Sequence, residues 1–209
     1  AVASAGHDAV MTSPEHRSGT DRIAEVAASL NDAPIIVNVQ GDEPLIATET
    51  IERAIEAIGE DKTTGGAGIV TTWERMDSAE DVLNPDVVKI VVDSNEEAVY
   101  FSRSPVPYPR DAVRSHGSLE NALRKDESVL NGFRKHTGLY VYRRKVLLAM
   151  AKWPQTRLER LESLEQLRAL EHGVKIKAIE ASSSSIGVDT MKDLERVRAI
   201  VEEMELKVS

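Results

Sequence analysis

The segment 35–46, IIVNVQGDEPLI, constrains this chain more than any other. Ile35, Ile36, Val37 and Val39 suit a strand buried on both faces, the condition of a central strand in a largely parallel sheet. Gly41 and Pro44 stop that strand, which places Gln40, Asp42 and Glu43 at its carboxyl end. In open α/β sheets that end is where ligands bind. An acid there, on a loop whose backbone can come close at Gly41, is suited to hold a divalent cation against a nucleotide phosphate. Hard carboxylate oxygens favour Mg²⁺, which takes one or two carboxylates together with substrate phosphates.

Around this segment helical and extended patterns alternate. Apolar spacing predicts helices over 19–30, capped by Ser18, and over 48–59, 144–153 and 190–204. Strands are predicted over 8–12, 35–40, 66–73, 136–142 and 174–181, with a hairpin over 87–102 turning at Ser94 and Asn95. Strands separated by helices predict an α/β fold of three layers, a mostly parallel mixed sheet flanked by helices, in one domain over 1–209. Leu158, Leu161, Leu164, Leu167 and Leu170 repeat every third residue, a period that drifts around a helix and so predicts a break. The segment 111–133 has no clear apolar period, and a loop that long is expected to be functional, mobile or ordered by a partner. The chain opens on the tail of a helix with no buried strand before Gly6, so the first βα unit of such a fold is expected to be missing.

Composition sets limits. The chain is 41% hydrophobic and 29% charged, as in ordinary globular proteins, and carries no cysteine, which excludes disulfides and thiolate chemistry. A net charge of −9 argues against a nucleic-acid surface, which needs a concentrated basic face. No apolar run is long enough to span a bilayer.

Several residues have both a plain reading and a chemical one. Asp189, in IGVDT ahead of the last helix, is either an N-cap or a second carboxylate for the cation held by Asp42. Arg17 and Ser18 lie in HRSGTDR, where a helix N-terminus exposes donors to an anion or a base edge. Arg134, His136 and Tyr140 cluster on one strand and could face a carboxylate, although a lone histidine is more often structural. Arg103 reads as a phosphate or carboxylate clamp or as a hairpin-end charge. Glu165 and Gln166 read as the polar face of a leucine-rich helix.

The runs HRSGTDRIAEV, IIVNVQGDEPLI, NPDVVKIVVD, YFSRSPVPY, HTGLYVYRR, LERLESLEQLRALEHG and GVDTMKDLERV stand in one order. Together they resemble the 3-deoxy-manno-octulosonate (KDO) cytidylyltransferase family of bacterial lipopolysaccharide synthesis. The resemblance implies a nucleotide-diphospho-sugar transferase fold and a cytoplasmic homodimer. It also implies a reaction in which CTP and KDO give CMP-KDO and pyrophosphate with Mg²⁺. It assigns the metal to Asp42 and Asp189, the cytidine side to Arg17 and Ser18, and a place between nucleotide and sugar to Gln40. His136, Tyr140, Glu165 and Gln166 would line the sugar pocket, with Arg103 and Arg134 beside it, and 103–135 would carry the dimer contact.

Three departures from the pattern stand out. The family's opening strand and its phosphate-holding Arg/Ser/Lys loop are absent, which implies that these 209 residues alone bind CTP poorly and do not turn over. Thr137 replaces an apolar residue, and Met191 stands where proline is usual. The rival readings are activation of another acidic sugar such as sialic acid, a binding-only polypeptide, and a glycosyltransferase that releases no pyrophosphate.

Overall fold

The computed structural model describes residues 2–16, 18–60, 66–188 and 190–208. In chain order these form α1 (Gly19–Ser29), β1 (Ile35–Asn38), α2 (Thr48–Glu60), β2 (Ile69–Arg75) and α3 (Ala79–Leu83). The hairpin β3 (Lys89–Val92) and β4 (Ala98–Ser102) leads into α4 (Arg110–His116) and α5 (Leu119–Lys125). Then follow β5 (Arg134–Arg143), α6 (Arg144–Met150), α7 (Arg157–Glu162), α8 (Gln166–Glu171), β6 (Ile176–Glu180) and α9 (Met191–Val208).

The sheet is mixed and flanked by helices, as the sequence pattern predicts. Its order is β4-β3-β5-β2-β6, with β1 also on β5. β1, β2, β3 and β6 point the same way, but β5 runs against them through the middle. Most pairings among the described residues are therefore antiparallel, and only β2 with β6 is parallel. β5 is long enough for two partners on one edge: β1 meets it over Tyr140 to Arg143 and β3 meets it at Lys135. β1 is thus not the doubly buried central strand that its composition predicts. Val37 in β1 is 36% exposed and Val39 just after it 41% exposed, and among the described residues β1 pairs on one side only.

Apolar side chains fill both faces of the sheet. One layer packs Tyr140, Tyr142 and Ile69 against α1, α6 and α8. The other packs Val70, Leu139 and Val141 against Ala54 and Ile58 of α2. Thr137, the residue that departs from the family pattern, points into buried space but is not orphaned: its hydroxyl pairs with that of Thr72 across the β2–β5 ladder. Met191 opens α9 in an exposed position, where its side chain is free of packing constraints.

Two further sequence expectations are corrected. The segment 8–12 forms no strand and leaves Met11 93% exposed. The segment 111–133 is not an irregular loop. It holds α4 and α5, divided by a left-handed Gly117 and a Ser118 cap, and a 3₁₀ turn over Glu127–Gly132. Leu123, Leu130 and Phe133 anchor it to Met76 and Val82. The predicted break in the leucine-rich stretch falls at Ser163, whose φ of 55° ends α7 before α8 begins.

Candidate active site

The loop after β1 is a partition between two clefts. On one side Asp42 and Glu43, with Glu74, Lys135, His136 and Ser185, line a cleft of about 460 Å³. On the other, Gln40 joins Thr20, Tyr140, Glu165 and Gln166 around about 310 Å³. The rings of His136 and Tyr140 are 5.3 Å apart, so β5 presents one aromatic residue to each cleft. A larger cavity of about 530 Å³ lies between α1 and the end of α6, and among the predicted site residues that are described it holds only Ser18.

The partition is held by close contact with β5. The Gly138 amide donates to Glu43 Oε1 at 2.7 Å. A Cβ on Gly138 would stand 2.7 Å from Gln40 Cγ and 2.8 Å from Glu43 Oε1, so only glycine lets the loop approach this closely. Glu43 Oε2 and Ser185 Oγ are buried with no hydrogen-bond partner. Glu74 accepts from the Ser185 amide at 2.7 Å, and burial pushes its carboxyl above the ordinary range despite that bond and Lys135 at 3.6 Å.

Beneath Asp42 the chain crosses itself. The Val188 amide donates to Asp42 O at 2.8 Å, which ties the segment leading to Asp189 to the Asp42 loop. Asp189 itself, like Arg17, lies outside the described residues. Among the described residues no three acids or histidines are arranged to hold a metal ion. The donor set still fits Mg²⁺, which needs only one or two carboxylates beside phosphate and water: Asp42 is exposed in the cleft, and Glu43 beside it keeps a buried oxygen unpartnered.

Ser18 caps α1, accepting from the Asp21 amide at 3.2 Å, and the Thr20 amide donates to Glu165 Oε2 at 3.3 Å. The helix start and the α7–α8 break therefore meet at the second cleft. The other two predicted cations are used elsewhere. Arg103 donates to Glu162 O at 2.8 Å and Pro85 O at 3.0 Å, while the Arg134 guanidinium lies 4.6 Å above the Trp73 ring. Neither lines either cleft.

Arg103 instead works with Lys89. Lys89 is fully buried and donates to Asn84 O at 2.8 Å and Val87 O at 2.5 Å. Its ammonium is pushed below the ordinary range by burial, with Arg103 adding repulsion. The two cations thus satisfy three carbonyls of the 84–87 turn, which walls the Asp42 cleft. Sequence reading missed Gly138, Glu74, Lys89 and Ser185. Only Gly138 carried a local signal, as a glycine inside the strand pattern HTGLYVY.

A family model described as cytidylyltransferase matches residues 1–176. The chain belongs to the cytidylyltransferase family. It is 48% identical over 198 residues to the 3-deoxy-manno-octulosonate cytidylyltransferase of Trichlorobacter lovleyi, a match covering 92% of this chain and 73% of that protein. The same-named protein of Neisseria meningitidis serogroup A is 45% identical, with 93% and 74% covered. A solved CMP:2-keto-3-deoxy-manno-octonic acid synthetase complexed with CTP superposes with a TM-score of 0.81 at 36% identity, over 97% of this chain and 76% of that one. The two clefts and their partition thus belong to a member of this family with the fold of a nucleotide-sugar-forming enzyme.

Proposed function

We propose that this protein transfers CMP from CTP to the anomeric hydroxyl of KDO, giving CMP-KDO and pyrophosphate for lipopolysaccharide synthesis. The observation that carries the reading is the partition loop. It puts an exposed acid on one side and an amide, Gln40, on the other, within a chain 48% identical to a KDO cytidylyltransferase.

In this reading the sugar's anomeric oxygen attacks the α-phosphorus, and the bond from that phosphorus to the bridging oxygen breaks. Pyrophosphate leaves with the electron pair, and the hydroxyl proton passes to solvent. Asp42 and Asp189 hold Mg²⁺ and do not act as bases. When bound, the ion offsets negative charge on the phosphates as it builds up. Arg17 and Ser18 serve the cytidine side. Gln40, Tyr140, Glu165 and Gln166 on one side of the partition and His136 on the other orient the sugar, which spans the two clefts, aided by the Thr20 amide that fixes Glu165. Burial of Tyr140 pushes its hydroxyl well above the ordinary range, so it stays a neutral donor.

Three further points belong to the proposal. The protein works as a homodimer through 103–135, supported by Tyr108, which is 62% exposed just before α4. It acts in the cytoplasm, where CTP is made. No described helix is long and apolar enough to cross a membrane.

The sugar is tested by pyrophosphate release. The match spans 73% of the length of the Trichlorobacter lovleyi relative, so turnover is measured on a polypeptide of that relative's full length. KDO is expected to support release and sialic acid to give less than about a hundredth of that rate, the scale on which lost polar contacts discriminate substrates. Equal rates with the two sugars, or release with neither, would contradict the assignment.

A further inference from the structure

Thr71 is fully buried in β2, where the β2–β5 ladder slips at a bulge. Its Oγ1 makes two contacts, 2.8 Å to Leu139 O and 2.9 Å to His136 Nε2. A threonine hydroxyl has a single proton, and a carbonyl can only accept. That proton therefore goes to Leu139 O. Oγ1 then turns a lone pair to Nε2, and Nε2 must carry the hydrogen between them. The opposite arrangement would set two oxygen lone pairs face to face at 2.8 Å and leave a carbonyl of buried Leu139 without this donor.

The ring is fixed from other directions as well. Phe101 meets it edge-on at 5.1 Å and Tyr140 tilts against it at 5.3 Å. Burial pushes the His136 pKa down to about 3, so the imidazole is neutral and carries one proton for two nitrogens. Of the three side chains in contact with the ring only Tyr140 titrates, and it does so far above neutrality, while the cleft that His136 lines also carries Asp42, Glu43, Glu74 and Lys135. With the proton on Nε2, Nδ1 is bare. It has no hydrogen-bond partner among the described residues, and His136 lines the Asp42 cleft.

We propose that Thr71 is a positioning residue that locks His136 as the Nε2–H tautomer, so that Nδ1 accepts a hydrogen bond from a hydroxyl of the acidic sugar. This departs from the expectation that His136 helps to neutralise a carboxylate, since a bare nitrogen repels one. The contact with sugar rests on the function proposed above; the tautomer does not.

The test is ¹⁵N-histidine labelling of the chain with long-range ¹H–¹⁵N correlation. The chain has five histidines, and comparison with His136→Gln assigns the signal. The expected pattern is a protonated Nε2 and a bare Nδ1, unchanged from about pH 5 to pH 8, the range in which an ordinary histidine changes charge. Thr71→Ser keeps this pattern, and Thr71→Val gives a mixture of tautomers. A protonated Nδ1 or an imidazolium in the wild-type protein overturns the proposal, as does a Thr71→Val spectrum identical to wild type. Thr71→Val is a buried substitution, so the wild-type spectrum decides the tautomer even if the variant does not fold.

Adding KDO is then expected to move the His136 Nδ1 signal, and Thr71→Val to weaken KDO binding about tenfold by calorimetry, the worth of one good hydrogen bond. Binding that leaves Nδ1 unmoved overturns the hydroxyl contact. If KDO does not bind at all, the sugar assignment fails while the tautomer stands.

Discussion

Asp42→Asn is expected to reduce pyrophosphate release by about 10³-fold or more, the scale on which loss of one transition-state electrostatic contact is felt. The substitution keeps the size and shape of the side chain and removes the charge that would hold Mg²⁺. Stability should change by less than about 0.5 kcal/mol, because the Asp42 side chain is exposed and the bond that ties the loop to Val188 is made by its backbone carbonyl. Both readings are needed. A rate near wild type would remove Asp42 from the metal site, and a large loss of stability would show that the lost activity comes from unfolding.

The largest effect on stability is expected at Glu159, far from any proposed chemistry. Its side chain is 2% exposed and that of Arg168 is 4% exposed. Arg168 holds it through two bonds, Nε to Oε2 at 2.9 Å and Nη2 to Oε1 at 2.5 Å, and donates a third to Met150 O at 3.0 Å. Burial pushes the Glu159 carboxyl up, but the Arg168 bonds and the Thr156 amide outweigh it and hold the carboxyl below its ordinary value of 4.5. A carboxylate lowered in this way stabilises the fold above that ordinary value and loses the contribution as pH falls.

Glu159→Ala leaves a buried guanidinium uncompensated and should cost about 3–5 kcal/mol. Total stabilities are only about 5–15 kcal/mol, so the urea midpoint should fall by a large fraction. The double variant Glu159→Leu with Arg168→Met should recover most of the loss, since apolar groups of similar volume replace the pair. A cost below about 1 kcal/mol for Glu159→Ala would show that the pair is not the clamp described. That clamp matters for function because α7 and α8 carry the break that presents Glu165 and Gln166.

The parts of the site that lie on one short segment were legible before any coordinates. Gly41 and Pro44 mark where β1 stops, and so where Asp42 stands. The three-residue leucine period marks the break beside Glu165. What was not legible depends on partners distant in sequence. Ile35 to Asn38 have the composition of a central strand, but the reversed path of β5 leaves them paired on one edge. The segment 8–12 has strand composition, yet a strand forms only against another, and no described strand pairs with it. α4 and α5 are seven residues each and are set by caps at Gly117 and Ser118, too short for an apolar period to emerge. Arg103 and Arg134 looked like ligand clamps because sequence shows a charge but not the carbonyls or the ring it meets.

In the proposed reaction Asp42 and Asp189 would grip one ion at the edge of the nucleotide. Mn²⁺ titration in the presence of CTP, followed by electron paramagnetic resonance, measures this most directly on the polypeptide of the relatives' full length. Wild type should bind one tight ion, and Asp42→Asn and Asp189→Asn should each weaken it by about tenfold or more. Either variant binding Mn²⁺ as tightly as wild type would contradict the account.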